Sequence, residues 1–460
     1  MSRRARLALL AVLAAGAALR LLQLADDGIF WPDEIYQSLE PAHRRAFGYA
    51  LLPWEYVTGA RSWLWPMLLA PLERLGAWLG GDRPRAYLTL VRLVMMSASL
   101  AAAWGAHRLA LRLRASEWAA TVGAALVAFL APLVFFAPRA TSENVSAVAV
   151  TFALLLLADE DPAPLPVAGA ASLLGFVTVL RVQNVILCLA AVGWLMARRR
   201  LRAAGWATVV LLAWALADGV FDRVTWGGFW RSSRAYLHAN LAGYSGIFGR
   251  EPASYYLVVL PRAAGAAGVA LLLLALVGAW RARGIFALIC AYLLVHSLIG
   301  YKQLRLMLVL LPALCALAAV GVDALARRSR PLGVALGAVA VALALWSGLG
   351  VRRLTFGDLG ANYLTGERAF DHDGALNRAL LEAHDRADLC GIALPNERVL
   401  TGGATFLHRR VPIYGVDDAP PATAHHFNYR ITSGRDGTAT LTPLGFDVCV
   451  PDPAYRWRAN

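Results

Sequence analysis

Long apolar blocks separated by short arginine-rich stretches restrict what this chain can fold into. Residues 266–280 and 331–347 are two such blocks, with almost no polar side chain in either. Hydrophobic residues make up 58% of the 460 residues and charged residues only 16%, whereas soluble domains are nearer half apolar and a quarter charged. The pattern predicts a polytopic membrane protein and excludes an ordinary water-soluble enzyme and a disordered chain.

We predict eleven membrane-spanning helices, since a span needs about 20 apolar residues. Their approximate ranges are 7–24, 86–110, 116–137, 143–158, 164–180, 184–197, 203–220, 256–280, 284–300, 303–325 and 331–350. The blocks 164–180 and 184–197 are short, so they are either tilted helices or one interrupted segment. Residues 7–24 lack a clean cleavage motif, which favours a retained first helix over a signal peptide.

The arginines predict the orientation of the chain, because cytoplasmic loops are enriched in basic residues. The arginine-rich turns at 3–6, 112–114, 198–202, 281–283 and 327–330 then lie in the cytoplasm together with the N-terminus. Three long segments, 25–85, 221–255 and 351–460, lie outside with the C-terminus. Near-total use of arginine over lysine and compact loops favour a bacterial plasma membrane.

The net charge of +14 does not indicate nucleic-acid binding. The basic residues occur in short runs between apolar blocks, and no basic stripe with interleaved aromatic residues is present. The sequence also lacks a phosphate-binding glycine-rich loop and any cysteine or histidine spacing typical of a metal site. We therefore expect neither a metal nor a cofactor.

Composition divides the chain into a membrane module, residues 1–350, and a small outer α/β domain, residues 351–460. Within the outer domain, β-like runs occur at 390–394, 410–414 and 448–450, and a helix is predicted at 375–388. Amphipathic stretches at 35–49 and 63–79 predict interfacial helices in the first outer loop. Cys390 and Cys449 would lie in an oxidising compartment, so we hypothesise a disulfide between them.

Two adjacent carboxylates, Asp33 and Glu34, follow the first apolar block after Pro32. An acid at the bilayer surface among aromatic residues can act as a general base. The same pattern is typical of a helix N-terminus, where acidic residues are favourable after proline. Both interpretations remain open from spacing alone.

A cluster of basic residues, His296, Lys302 and Arg305, occurs where one predicted helix leaves the membrane and the next begins. Lys302 is the only lysine of the chain. A lysine and an arginine about one helical turn apart can converge on one anion. Positive charges on the outer side are also contrary to the usual enrichment of basic residues in cytoplasmic loops. An outer loop with snorkelling basic side chains is the alternative.

Several other polar residues lie near the predicted outer boundary. Arg139 and Arg181 each follow an apolar run, where snorkelling is as reasonable as a function. Asp222 and Arg223 could form a structural ion pair or belong to an acceptor site. Aromatic and charged groups of the first loop suit sugar binding, although interfacial packing of tryptophan is an equally simple explanation; they are Trp54, Glu55, Tyr56, Arg61 and Trp63.

Taken in order, these residues resemble the lipid-phosphomannose-dependent mannosyltransferases of GPI-anchor and N-glycan assembly, glycosyltransferase family 22. The first loop is the most specific part of the resemblance: Pro32-Asp33-Glu34, Tyr36-Gln37, Glu40, Trp54-Glu55-Tyr56 and Arg61-Ser62. Asp222-Arg223, Arg139-x-Thr141, Arg181, His296 and the segment from Lys302 to Arg305 also have counterparts. The resemblance covers roughly residues 7–330.

The resemblance implies a GT-C fold, an all-α polytopic membrane protein with an outer catalytic cavity and a small α/β extramembrane domain. It implies inverting transfer of a sugar, mannose first, from a polyprenyl-phosphate donor to a glycan or glycolipid acceptor within the membrane. The implied catalytic residues are Asp33 and Glu34. The implied donor-phosphate ligands are Lys302, Arg305, His296, Arg181 and Arg139. The implied acceptor or sugar ligands are Tyr36, Gln37, Glu40, Trp54, Glu55, Arg61 and Asp222.

Three alternatives remain open from the sequence. The first is a transporter or flippase of polyprenyl-linked glycans, for which paired interrupted helices and mid-helix charges would be expected. The second is a non-catalytic scaffold that binds a partner through residues 351–460. The third is an enzyme of the same fold that uses another sugar, such as arabinose or glucose.

Overall fold

The computed structural model describes residues 1–30, 32–159, 162–243, 246, 249–361, 364–434 and 437–459. Among these residues, four helices are long and apolar enough to cross a membrane, and six shorter apolar helices accompany them. The four long ones are Arg3–Ala25, Pro84–Arg112, Leu201–Trp226 and Arg330–Leu349. The protein is therefore an integral membrane protein, while the number of eleven spans stays a prediction.

Helix α1 spans Arg3–Leu21, and the first outer loop follows it. Residues from Pro32 to Phe47 form one uninterrupted helical run: helix α2 Pro32–Glu34, a π-helical segment Ile35–Leu39 and helix α3 Glu40–Phe47. Helices α4 Trp54–Thr58 and α5 Leu64–Gly80 complete the loop. The amphipathic stretches predicted at 35–49 and 63–79 are thus helical.

The membrane part continues with helices α6 to α19. They are α6 Pro84–Arg112, α7 Glu117–Phe129, α8 Ala131–Phe135, α9 Ser142–Leu157, α10 Pro164–Leu180, α11 Val185–Ala197, α12 Leu201–Trp226, α13 Arg231–Leu241, α14 Tyr255–Ala264, α15 Ala266–Ala279, α16 Arg283–Leu298, α17 Leu304–Leu308, α18 Leu311–Arg328 and α19 Arg330–Leu349.

Three predicted spans are interrupted rather than continuous. The span predicted at 116–137 divides into α7 and α8 at Leu130, before Pro132, and the span at 256–280 divides into α14 and α15 at Gly265. The span at 303–325 divides into α17 and α18. The carbonyls freed by the break at Leu130 are satisfied by Arg20, which donates to the carbonyl oxygens of Val127 and Ala128. Apolarity alone does not show such breaks, since both halves of each helix are equally apolar.

Helix α18 lies at the centre of the membrane part and is buried along most of its length. It crosses α15 where two glycines face each other: a Cβ on Gly278 would lie 2.0 Å from the carbonyl oxygen of Leu317, and one on Gly321 would lie 2.0 Å from that of Leu274. Small residues allow helices to approach closely in a membrane. This crossing fixes the position of α18 and therefore of α17, which immediately precedes it.

The C-terminal segment forms a small α/β unit packed on the first outer loop. It contains α20 Gly374–His384, α21 Gly403–Leu407 and strands β1 Ile392–Ala393, β2 Ile413–Tyr414, β3 Tyr429–Ser433 and β4 Ala439–Pro443. The sheet order is β2-β1-β3-β4, with parallel pairs except for antiparallel β3 and β4. The boundary predicted at residue 350 falls one residue after the end of α19.

Two of the three predicted β-like runs contain strands, and the third does not. Residues 448–450 form no strand; they are held by the disulfide of Cys449 and by a hydrogen bond from the Val450 N–H to the His425 carbonyl oxygen. The sequence analysis missed β3 and β4, whose mixed polar composition lacks an apolar signal. The hypothesised disulfide between Cys390 and Cys449 is present.

We expect a Cys390→Ser variant to lower the melting temperature of the protein under non-reducing conditions. The disulfide joins residues 59 positions apart, and closing such a loop stabilises the folded state by roughly 4 kcal/mol through the entropy of the unfolded chain. Cys290→Ser is the matched control, because Cys290 is free and exposed. Alkylation of both Cys390 and Cys449 without prior reduction would contradict the pairing.

Candidate active site

A cavity lies where the loop between α1 and α6 meets one end of the membrane helices. Its wall is formed by four parts of the chain: the first loop, the start of α9, the end of α10 and the short helix α17. Its charged and amide side chains are Asp33, Gln37, Arg61, Glu143, Arg181 and Arg305. These residues come from distant parts of the sequence, and the cavity brings together five that the sequence analysis assigned to three different roles.

Asp33 and Arg305 form an ion pair across the cavity through Asp33 Oδ2 and Arg305 Nη2. The Asp33 side chain keeps 19% of its surface exposed, while that of Arg305 keeps 5%. Pro32 starts α2 and sets Asp33 in the first helical turn, and the crossing of α15 and α18 sets α17 opposite it. The proposed base and one proposed phosphate ligand are therefore in direct contact.

Glu34 and Arg139 are placed away from the cavity, contrary to the roles expected of them. Arg139 Nη1 lies 2.7 Å from Glu34 Oε2, and its Nη2 lies 2.7 Å from Asp26 Oδ2. All three side chains are less than a tenth exposed. Asp33 and Glu34 are consecutive in one helical turn, so their side chains leave the helix in different directions. Glu34 and Arg139 thus lie in a buried network beside the cavity, and their expected catalytic and phosphate-binding roles stay predictions.

Lys302 and His296 also lie outside the cavity wall. Lys302 Nζ donates to the carbonyl oxygens of Glu251, at 2.8 Å, and Ile299, at 2.5 Å, and the residue is 2% exposed. The His296 ring stacks on Tyr292 and its Nδ1 lies 3.0 Å from the Tyr292 carbonyl oxygen. Lys302 thus links two backbone segments, because an ammonium group has three N–H donors and can bond to more than one carbonyl oxygen. The structure does not place it to hold a donor phosphate.

Gln37 connects the two sides of the cavity. Its Nε2 donates to Glu55 Oε1 at 2.8 Å, and its Oε1 accepts from Arg181 Nη2 at 3.3 Å. Burial raises the pKa of Glu55, the neighbouring Asp33 carboxylate raises it further, and Arg61 opposes the shift. Gln37 and Arg61 thus belong to the cavity, as the resemblance implies, and Glu55 supports it from behind.

Tyr36, Trp54 and Glu40 are not part of the cavity wall. The Tyr36 hydroxyl donates to the carbonyl oxygen of Arg398 in the C-terminal unit, and Trp54 is half-buried at the start of α4. Glu40 is fully buried and accepts hydrogen bonds from the N–H of Leu51, at 2.6 Å, and from the N–H and hydroxyl of Thr405, at 2.5 and 2.8 Å. Tyr36 and Glu40 thus join the first loop to the C-terminal unit, and the sugar-binding roles expected of Tyr36, Trp54 and Glu40 stay predictions.

A second chamber shares Arg61, Ser62 and Arg181 with the cavity. Ser232, Ser233 and Tyr236 of α13 line its far side. Asp222 lies behind this wall and accepts from both the N–H and the hydroxyl of Ser232 at 2.7 Å. Asp222 thus holds the start of α13 in place and does not itself line the chamber.

Glu143 is the site residue that sequence reasoning missed. It lies in the first turn of α9, its side chain is 2% exposed, and its Oε1 is 2.7 Å from Arg181 Nη2 and 3.9 Å from Arg305 Nη1. The available signal was an acid at the start of a strongly apolar segment, a position where an unpaired charge is costly. Within the described ranges, no three His, Cys, Asp or Glu residues are grouped as a metal site would require.

Comparisons with known proteins agree with this architecture. A family model described as the Alg9-like mannosyltransferase family matches residues 11–355. GPI mannosyltransferase 3 of Drosophila melanogaster is 39% identical over 88 residues, 19% of this chain and 15% of that protein. GPI mannosyltransferase 3 of Yarrowia lipolytica is 44% identical over 85 residues, 18% of this chain and 17% of that protein. The matched segments thus span less than a fifth of these relatives.

Two solved structures share the GT-C fold with this chain. ArnT from Cupriavidus metallidurans, crystallised with undecaprenyl phosphate, gives a TM-score of 0.60 at 14% identity, covering 89% of this chain and 86% of ArnT. The oligosaccharyltransferase of Archaeoglobus fulgidus gives a TM-score of 0.54 at 12% identity, covering 94% of this chain and 69% of that protein. At these identities the likeness establishes the fold alone.

We expect Glu40→Ala to destabilise the protein without changing its affinity for substrates. The change leaves three buried donors of Leu51 and Thr405 without an acceptor, which costs roughly 3 kcal/mol or more. Thermal unfolding in detergent measures the effect, with Glu382→Gln as control because Glu382 is exposed on α20. If the Glu40→Ala protein had normal stability but had lost affinity for a sugar acceptor, the result would support a sugar-binding role for Glu40.

Proposed function

The chain belongs to the Alg9-like mannosyltransferase family, and we propose that it is a membrane glycosyltransferase that moves mannose from a polyprenyl-phosphate donor to a glycan or lipid-linked acceptor. The proposal rests on the cavity, where the partly exposed carboxylate of Asp33 contacts the buried guanidinium of Arg305. Transfer of a sugar from a phosphate needs a base for the incoming hydroxyl and a cation for the leaving group.

The proposed reaction inverts the configuration of the sugar. An acceptor hydroxyl oxygen attacks C1 of the donor sugar while the bond from C1 to the phosphate oxygen breaks. The electron pair of that bond goes to the phosphate, giving polyprenyl phosphate, and the hydroxyl proton goes to Asp33. Arg305 and Arg181 lie where they can stabilise the phosphate as its charge develops, and Gln37 and Arg61 are available for sugar hydroxyls.

The proposed ligand set differs from the one that the resemblance implies. Of the five phosphate ligands that the resemblance implies, Arg305 and Arg181 are kept, because they line the cavity while Lys302, His296 and Arg139 do not. An arginine presents a fixed fork of donors that fits a phosphate. The donor needs no further activation, since its leaving group is already a phosphate.

We place the cavity on the outer face of the membrane and the N-terminus in the cytoplasm. The arginine-rich turns of the sequence support this orientation through the positive-inside rule. The disulfide of the C-terminal unit supports it as well, because disulfides persist in oxidising compartments. The cavity and the C-terminal unit lie against the same first loop, so both belong on one side.

We expect Asp33→Asn to lower kcat by about 100- to 10,000-fold, because an amide cannot accept the proton of the acceptor hydroxyl. The assay follows transfer of labelled mannose from a polyprenyl-phosphate donor in membranes or proteoliposomes. Glu382→Gln removes a carboxylate from the exposed face of α20 and serves as the control. Wild-type turnover by Asp33→Asn would remove Asp33 from the role of base. Transbilayer movement of the lipid without any covalent product would favour a transporter instead.

We expect Arg305→Gln to lower the turnover rate and Lys302→Gln to lower the stability of the protein. Arg305→Gln removes a cation from the cavity and should lower kcat by at least about 100-fold, as the loss of one oxyanion-stabilising donor does elsewhere. Lys302→Gln leaves the Glu251 and Ile299 carbonyls less well satisfied, so it should lower the melting temperature and leave binding of polyprenyl phosphate unchanged. Loss of phosphate binding in a well-folded Lys302→Gln protein would contradict this assignment.

A further inference from the structure

Glu143 has a position that the proposed reaction does not use. Its carboxylate lies at the wall of the cavity, among the side chains that would meet the donor phosphate, yet it bears the same sign of charge as that phosphate. An acid at this point opposes anion binding. Its presence therefore needs a reason other than recognition of the donor.

The contacts of Glu143 show what it does to the two arginines. Arg181 is held on two sides: its Nε donates to the Ser142 hydroxyl at 2.9 Å, and its Nη2 lies 2.7 Å from Glu143 Oε1. The same carboxylate oxygen lies 3.9 Å from Arg305 Nη1. One carboxylate thus lies between two guanidiniums that reach the cavity from α10 and α17.

The side chains that line the cavity carry charges of both signs. Arg61, Arg181 and Arg305 are basic, while Asp33 and Glu143 are acidic. Glu143 and Arg305 are both nearly inaccessible to water. Charges out of water interact strongly, so one carboxylate here changes the potential felt by a phosphate far more than a surface acid would.

We propose that Glu143 is a positioning residue that holds Arg181 and Arg305 in place at the cavity wall and limits their affinity for polyprenyl phosphate, so that this product can leave. The inference rests on the proposed function. Cations that stabilise a departing phosphate also retain the finished product, and slow product release limits many enzymes. A fixed carboxylate beside both cations lowers that affinity while keeping their geometry for the transfer step.

The test is the affinity of the full-length protein in detergent for farnesyl phosphate, measured by calorimetry, with farnesol as the uncharged control. Wild-type protein should bind farnesyl phosphate more tightly than farnesol. Glu143→Gln keeps the shape of the side chain and removes its charge, so it should bind farnesyl phosphate roughly tenfold more tightly and farnesol as the wild type does. Its kcat for sugar transfer should fall.

Glu143→Asp is the second variant, because it keeps the charge and shortens the reach to Arg181. It should bind farnesyl phosphate as the wild type does but turn over more slowly. If Glu143→Gln folds, unchanged or weaker binding of farnesyl phosphate would overturn the inference. If Glu143→Gln does not fold, a wild-type turnover rate in Glu143→Asp would overturn it. Equal affinity of wild-type protein for farnesyl phosphate and farnesol would overturn both this inference and the proposed donor.

Discussion

The buried charges at the outer end of the helices must be paired, and this requirement holds the site together. Taking an ion out of water costs several kcal/mol unless a counter-ion and hydrogen bonds replace the lost hydration. Arg305 meets Asp33 and Glu143, and Arg181 meets Glu143 and the Ser142 hydroxyl. Each pair joins segments that are far apart in the sequence, so the first loop, α9, α10 and α17 are locked in one arrangement. The apolar blocks bring the helices together, while the ion pairs decide which residues face the cavity.

The same network gives the cavity the properties that the proposed sugar transfer needs. Asp33 is the most exposed partner of its ion pair, with 19% of its side chain accessible, so an acceptor can reach it. Arg305 is nearly covered, so its charge acts in a medium of low polarity where it stabilises a developing anion effectively. Around this pair lies a second set of buried polar contacts that never reach the cavity, including Glu34 with Arg139 and Glu40 with Thr405. That outer set fixes the first loop and the C-terminal unit without taking part in the chemistry.

Sequence patterns predicted the class of protein, the acidic first loop, the downstream cationic segment and the small outer α/β unit. They did not predict where the direction of a side chain separates neighbouring residues. Glu34 follows Asp33 directly but points into a buried network, because consecutive residues leave a helix in different directions. Lys302 stood out as the only lysine, yet its ammonium group donates to two backbone carbonyl oxygens outside the cavity wall. A linear sequence shows which residue types are present and how they are spaced, but not which of two neighbours faces a cavity that distant segments create.

By itself, the sequence determined that this chain enters a membrane and that its polar residues gather in a few outer segments, because both follow from local composition and the cost of placing charge in lipid. It also determined the family resemblance, since the first-loop motif is contiguous. Only the tertiary structure decided that Asp33 contacts Arg305 and that Glu143 lies between two arginines. Those contacts depend on the close crossing of α15 and α18 at Gly278 and Gly321 and on the pairing of buried charges across the fold, which no single stretch of the chain encodes.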